Sequence, residues 1–120
     1  MKKKILVIDD QEELLELTRR LLQSRGYDVI TLNNGAHALE TIKKESPDLV
    51  LMDMLMPGKD GDEICHEMKS DPATSQIPVI LATGQMREEF PEEDLISAND
   101  YLMKPFEIDD LLCKIANLLK

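Results

Sequence analysis

Five polar residues in this chain stand where apolar runs end. Asp9 and Asp10 follow residues 5–8, Asp53 follows residues 49–52, Thr83 follows residues 78–82, and Lys104 follows residues 101–103. An unbroken apolar run bounded by turn signals reads as a strand buried on both faces, which implies a parallel sheet covered by helices. Ligands in open α/β sheets bind at the carboxyl ends of the strands, so the five residues would share one rim. The carboxylates cannot gather there freely. Two like charges about 4 Å apart repel by roughly 4 kcal/mol at an effective dielectric near 20. Three such pairs approach the whole stability of a domain. Either one carboxylate is protonated or a divalent cation sits among them. Oxygen ligands with no His or Cys nearby favour Mg2+ or Ca2+. A cation held by two or three carboxylates keeps waters, which suits Mg2+ bound together with a phosphoryl group. A carboxylate beside Mg2+ can attack phosphorus, with Lys104 as a point charge for the transferring oxygens and Thr83 as a hydrogen-bond donor. Each residue also has a plainer reading. Asp9 and Asp10 can cap a helix, Asp53 and Thr83 can end strands, and Lys104 can be solvated, but together these readings need four coincidences.

The elements that would position these groups can be followed in order. Residues 11–25 place Leu14, Leu15, Thr18, Leu21 and Leu22 at helical spacing. Asp10 is the expected cap, Glu12 and Glu13 suit the first turn, and Gly26 ends the helix. Residues 27–32 alternate and are rich in β-branched side chains, as in an edge strand. Asn33-Asn34-Gly35 is a turn, and residues 36–45 form a helix through Leu39 and Ile42 that Ser46-Pro47 stops. After the strand at 49–53, Pro57-Gly58 has the signature of a type II turn. Asp60 and Glu63 are placed to form a capping box for a helix reaching about Lys69. A strand at 78–82 follows. Residues 85–99 are polar and interrupted by Pro91, which predicts the least stable part of the fold. A strand at 101–103 leads to Lys104-Pro105. The last helix starts near Glu107 and carries Ile108, Leu111, Leu112, Ile115, Leu118 and Leu119 on a broad apolar face. Strands alternate with helices, the pattern of a doubly wound α/β sheet with right-handed crossovers.

The bulk properties narrow the function. At 120 residues the chain reads as one domain, able to bury about two-thirds of its unfolded surface. A net charge of -10, a pI of about 4.6 and 3% aromatic residues make nucleic acid and anionic membrane surfaces poor partners. Lys2-Lys3-Lys4 is the one basic run, and it lacks the apolar stretch of a signal peptide; no run approaches a transmembrane length. Cys65 and Cys113 have neither metal nor redox spacing and read as reduced thiols in a cytosol. His37 and His66 are isolated and read as surface helix residues.

Taken together, Ile8-Asp9-Asp10, Met52-Asp53-Met54-Leu55-Met56-Pro57 with Asp60-Gly61, Ala82-Thr83 and Tyr101-Leu102-Met103-Lys104-Pro105-Phe106 form a specific set. Over its whole length, residues 1–120, the chain resembles the receiver domains of bacterial two-component response regulators, including the single-domain chemotaxis and sporulation types. The resemblance implies a flavodoxin-like five-stranded parallel sheet in the order 2-1-3-4-5 with helices on both faces. It implies Asp53 as phosphoacceptor and metal neighbour. Asp10 would be a direct Mg2+ ligand, Asp9 would act mainly through water, and the backbone carbonyl of Leu55 would be a further ligand. Thr83 would follow the phosphoryl group, Lys104 would pair with it, and Tyr101 would change rotamer on activation. It also implies a cis Lys104–Pro105 peptide, an arrangement suited to X–Pro bonds. Two departures stand out. Leu55 occupies a position where many members carry Asn or another polar residue, and residues 86–99 carry Pro91 and have Ser97 where Gly is common, which goes against an intact fourth helix.

The leading expectation is a cytoplasmic signalling module rather than an enzyme acting on other molecules. It would promote its own aspartyl phosphorylation and dephosphorylation. Its donor would be a histidine kinase or histidine phosphotransfer protein. Its output would be a partner protein, without direct contact to nucleic acid or membrane. A Mg2+-dependent phosphatase with an aspartyl nucleophile is a rival, but such enzymes usually carry a second Asp where Leu55 stands. A flavin-binding electron carrier needs a Gly- and hydroxyl-rich phosphate loop, whereas Asp9-Asp10-Gln11-Glu12-Glu13 would repel phosphate. A degenerate receiver acting only as a protein-binding module is a further alternative, although every expected catalytic position is filled.

Overall fold

Alternate side chains of each central strand point to opposite layers, and that alternation lays out the molecule. The computed structural model describes residues 2–84 and 98–120. Strands β1 (Lys4–Ile8), β2 (Asp28–Leu32), β3 (Leu49–Asp53), β4 (Val79–Thr83) and β5 (Asp100–Met103) form one sheet in the order β2-β1-β3-β4-β5. Every neighbouring pair is parallel. Among the described residues the helices are α1 (Glu12–Ser24), α2 (Ala38–Glu45), α3 (Gly61–Ser70) and α4 (Ile108–Leu118).

Ile5, Val7, Leu49, Leu51, Ile80 and Ala82 pack in one layer with Leu15 and Leu22 of α1 and Leu111 and Ile115 of α4. Leu6, Ile8, Val50, Met52, Val79 and Leu81 pack in the other with Ala38 and Ile42 of α2 and Ile64 and Met68 of α3. Burial of each such aliphatic side chain stabilises the fold by about 1.5–3 kcal/mol, so both layers hold the sheet between helices. The chain leaves β1 for β2 on one side and returns to β3 on the other. The order therefore reverses at β1, and the strands flanking that switch point open a crevice at their carboxyl ends. Ile8 is in register with Met52, so the residues that follow, Asp9 and Asp53, come out side by side.

The strand order and the doubly wound layering are those expected, but the helix starts differ in detail. Gln11, not Asp10, is the N-terminal boundary residue of α1, because Asp9 reaches forward and its Oδ1 accepts the Gln11 N–H at 2.9 Å. Asp60 does stand at the boundary of α3, but no side-chain capping bond forms and the box with Glu63 is not made. Its Oδ1 accepts the Met56 N–H at 3.2 Å instead, which closes the preceding loop. α2 starts two residues later than the pattern suggests. Asn34 Oδ1 takes the Ala36 N–H at 2.9 Å and holds residues 34–36 in a side-chain turn that competes with helix. Ser46 ends α2 in the left-handed region at φ 47, with its N–H on Ile42 O at 2.9 Å. Gly26 follows α1 at φ 93. Of the segment 85–99, residues 85–97 with Pro91 lie outside the described residues, so the expectation of low stability there falls outside them too. No helix among the described residues is long and apolar enough to cross a membrane.

Ile80, fully buried at the centre of the layer shared by α1 and α4, gives a direct check. Ile80→Ala removes three carbons from a packed site and is expected to cost about 2–5 kcal/mol, read as a lower urea midpoint with an unchanged slope. A loss below about 1 kcal/mol would contradict this layer assignment.

Candidate functional site

The three carboxylates and the ammonium meet at the carboxyl end of the sheet. Asp9, Asp10 and Asp53 each offer one oxygen, and those oxygens lie within 4.8 Å of one another. Asp9 is buried, Asp53 partly buried and Asp10 exposed. Lys104 Nζ donates to Asp9 Oδ2 at 3.0 Å and to Asp53 Oδ2 at 3.1 Å, so a single ammonium bridges β1 and β3. Lys104 itself is fixed by backbone, because its N–H donates to Thr83 O at 2.8 Å and its peptide bond to Pro105 is cis. Thr83 is buried at the end of β4. Tyr101, in register with Leu81, packs partly buried against the layer below α2 and α3.

Burial and pairing pull the charges in different directions. Desolvation is the largest influence on Asp53, and it raises the carboxyl above its ordinary value. The hydrogen bond and charge of Lys104 oppose that rise, and the charges of Asp9 and Asp10 add to it. At Lys104, burial alone would lower the ammonium, but the hydrogen bonds and charges of Asp9 and Asp53 outweigh it and hold it above its usual value. The two partners therefore move for different reasons. Lys104 faces two carboxylates, whereas Asp53 has only a share of one ammonium. The side chains of Lys104 and Asp53 are 16% and 13% exposed, so water screens this balance only weakly.

The loop after β3 is built by alternation carried past the strand. Met54 and Met56 are buried, while Leu55 between them is 49% exposed. The two methionines plug the loop into the core. Met54 N–H donates to Ala82 O and Gly61 N–H to Met54 O, each at 2.8 Å. A Cβ on Gly61 would overlap the Asp53 carbonyl oxygen, so only glycine lets the start of α3 come this close behind the acidic residue.

Asp9, Asp10, Asp53 and Lys104 are thus brought together, and Thr83 ends the neighbouring strand at the same rim. Two arrangements were not foreseen. Lys104, expected to pair with a phosphoryl oxygen, bonds both Asp9 and Asp53 here, and Asp60 braces the loop rather than capping a helix. The first has no sequence signal, since residues 9 and 104 are 95 positions apart. The second was accessible in principle, because an Asp four residues after a turn-entering Met can serve either purpose.

The doubly wound fold with an acidic crevice at its switch point defines a class of small ligand-binding α/β modules. A family model described as response regulator receiver domain matches residues 5–116, and the chain belongs to that family, the phosphoacceptor signalling modules of two-component systems. It is 37% identical over 117 residues to response regulator MprA of Mycobacterium leprae, which covers 98% of this chain and 51% of that protein. It is 32% identical over 121 residues to the DNA-binding response regulator MtrA of the same organism, covering 100% of this chain and 52% of that one. The chain therefore spans about half the length of the curated relatives it matches. Among solved structures, response regulator protein TrrA of Thermotoga maritima in complex with Mg2+–BeF superposes with a TM-score of 0.87 at 33% identity, covering 98% of this chain and 99% of that one.

A stability test follows from the raised Asp53 carboxyl. An acid whose folded value exceeds its unfolded value stabilises the fold below the unfolded value, and that contribution is lost as pH rises through the folded one. Metal-free protein should therefore weaken as pH rises above the ordinary carboxylate range. Asp53→Asn should be more stable than wild type at neutral pH by about 1 kcal/mol, the size of one partly compensated charge contact, and should lack that decline. Denaturant melts in a chelator measure this, and a less stable Asn variant would refute it.

Proposed function

We propose that residues 1–120 act as one receiver domain that accepts a phosphoryl group on Asp53 in a Mg2+-dependent reaction and thereby changes how a partner protein is bound. The observation that carries this reading is the set of three carboxylate oxygens within 4.8 Å of one another, with Lys104 bonded to two of the same residues. The donor set fits the cation. Octahedral Mg2+ with oxygens at about 2.1 Å spans about 4.2 Å between opposite ligands, close to the spread of these carboxylates. Asp10 and Asp53 would hold it directly, Asp9 through water, and the Leu55 carbonyl would complete the protein ligands. When bound, Mg2+ supplies neutralisation of the charge on the transferring oxygens.

The residues of the chain do the rest. An Asp53 carboxylate oxygen attacks the phosphorus of a phosphohistidine on a histidine kinase or histidine phosphotransfer protein. A P–O bond forms, the P–N bond breaks, and the departing imidazole takes the electron pair and then a proton. Lys104 exchanges its contact with Asp53 for a phosphoryl oxygen while keeping Asp9, which spares the ammonium a move through water. Thr83 donates its hydroxyl to a second oxygen. The space it leaves lets Tyr101 turn inward, and the partner face changes by population shift. Asp53 is consumed in each cycle, so the chain is a substrate that promotes its own modification and the hydrolysis that resets it. Leu55 at the rim, where a phosphatase would carry its second Asp, counts against the enzymatic reading. The net charge of -10 supports a protein partner over direct contact with nucleic acid for this domain. Cys65 and Cys113 are not joined in a disulfide, which suits a reducing cytoplasm.

Incubation with a small phosphodonor and Mg2+, followed by intact mass, tests the proposal. One phosphoryl group is expected on wild type, none on Asp53→Ala and none when a chelator replaces Mg2+. Labelling of Asp53→Ala at the wild-type rate would reject Asp53 as the acceptor.

A further inference from the structure

We propose that the turn between β2 and α2, residues 33–37, is the positioning element of the metal site, although it supplies no ligand. The inference rests on the Mg2+ reading above and adds to it the device that sets the distance between the two ligand-bearing loops. On one side the turn and the strand end before it are tied to the segment around Asp9 and Asp10, through Asp9 itself and the first residue of α1. The Asp9 N–H donates to Leu32 O at 3.1 Å, and Asn33 Nδ2 donates to Glu12 Oε1 at 3.2 Å. On the other side it is tied to the loop after β3, where the Gly35 N–H donates to Pro57 O at 3.0 Å.

The second contact is backbone against backbone. A Cβ on Gly35 would overlap the Lys59 carbonyl oxygen and lie 2.9 Å from its carbon. Gly58, at φ 87, would place a Cβ 2.9 Å from Ala36 N and 3.1 Å from Ala36 Cβ. Neither neighbour is the tip of a flexible side chain, so an added methyl group must displace a loop. The turn cannot easily yield, because Asn34 Oδ1 holds the Ala36 N–H and Asn34 Nδ2 donates to Asn33 Oδ1 at 2.9 Å. Lys59 is anchored in turn to Glu67 of α3 at 2.5 Å. The Leu55 peptide lies between two bonded carbonyls, Met54 O on Gly61 and Pro57 O on Gly35. A shift at Pro57 therefore turns the peptide that would face the cation. Changes one shell out from a metal commonly cost 10- to 100-fold in affinity.

Calorimetric titration of Mg2+ into the full chain tests this. Gly35→Ala should bind Mg2+ about 10- to 100-fold more weakly than wild type, and Asn33→Ala should weaken it severalfold. Gly26→Ala is the control. Its φ of 93 makes the alanine strained, yet nothing lies within 4 Å of the new Cβ, so it should lose stability while binding Mg2+ as wild type does. In metal-free protein, Gly35→Ala should also move the amide resonances of residues 9–11 and 54–59 together, and Gly26→Ala should move neither group. Unchanged affinity in Gly35→Ala, or an equal loss in Gly26→Ala, would overturn the proposal. Should Gly35→Ala fail to fold, wild-type affinity in Asn33→Ala would overturn it. Wild-type binding that Asp10→Asn abolishes supports the metal reading separately. A wild type that binds no Mg2+ would remove that reading, and the positioning role with it.

Discussion

The ammonium of Lys104 stands 3.0 Å from Asp9 and 3.1 Å from Asp53, and it makes the convergence of β1 and β3 tolerable in the metal-free molecule. The topology forces those strand ends together, since Ile8 and Met52 are register partners. The two carboxylates that follow must then share a partly dry rim. Burial raises the Asp53 carboxyl, and the charges of Asp9 and Asp10 add to the rise, because one cation answering two anions offsets it only in part. The negative charge left over is the chemical demand for a second cation. The three carboxylates and one ammonium lie within a few ångströms, and the proposed reaction would use the same groups.

The rest of the fold serves that rim by rigidity. Two apolar layers clamp the sheet from both sides, and the alternation that makes them continues through Met54 and Met56 to aim the loop after β3. Glycines at 35, 58 and 61 let backbone meet backbone where side chains would prop the loops apart. Rigid loops around a charged pocket reduce the reorganisation needed when charge is transferred.

Much of this was legible in the sequence because burial on both faces leaves a strong mark. The runs 5–8, 49–52 and 79–82 are apolar without interruption, and the polar residue ending each one advertises the rim. Strand order was not derivable from the runs themselves and came only from family resemblance. The details that escaped were choices between nearly equal hydrogen bonds. Asp9 rather than Asp10 bonds the start of α1, and Asp60 turns back to Met56 rather than forward to its helix. A single capping bond contributes only roughly 1 kcal/mol, so tertiary contacts can decide such choices. The clamp between the turn at 33–37 and the loop at 57–59 was illegible for another reason. A glycine in sequence signals a turn, and does not say which distant backbone it must let pass.

The central claim is that Lys104 only partly neutralises the carboxylates and leaves Asp53 awaiting a second cation. The most direct measurement is a 13C NMR titration of the Asp53 carboxyl, in a chelator and again in saturating Mg2+. The account predicts a midpoint above the ordinary aspartate range without metal and a clear fall when Mg2+ is added. An ordinary or depressed midpoint in the chelator, or one that Mg2+ leaves in place, would contradict it.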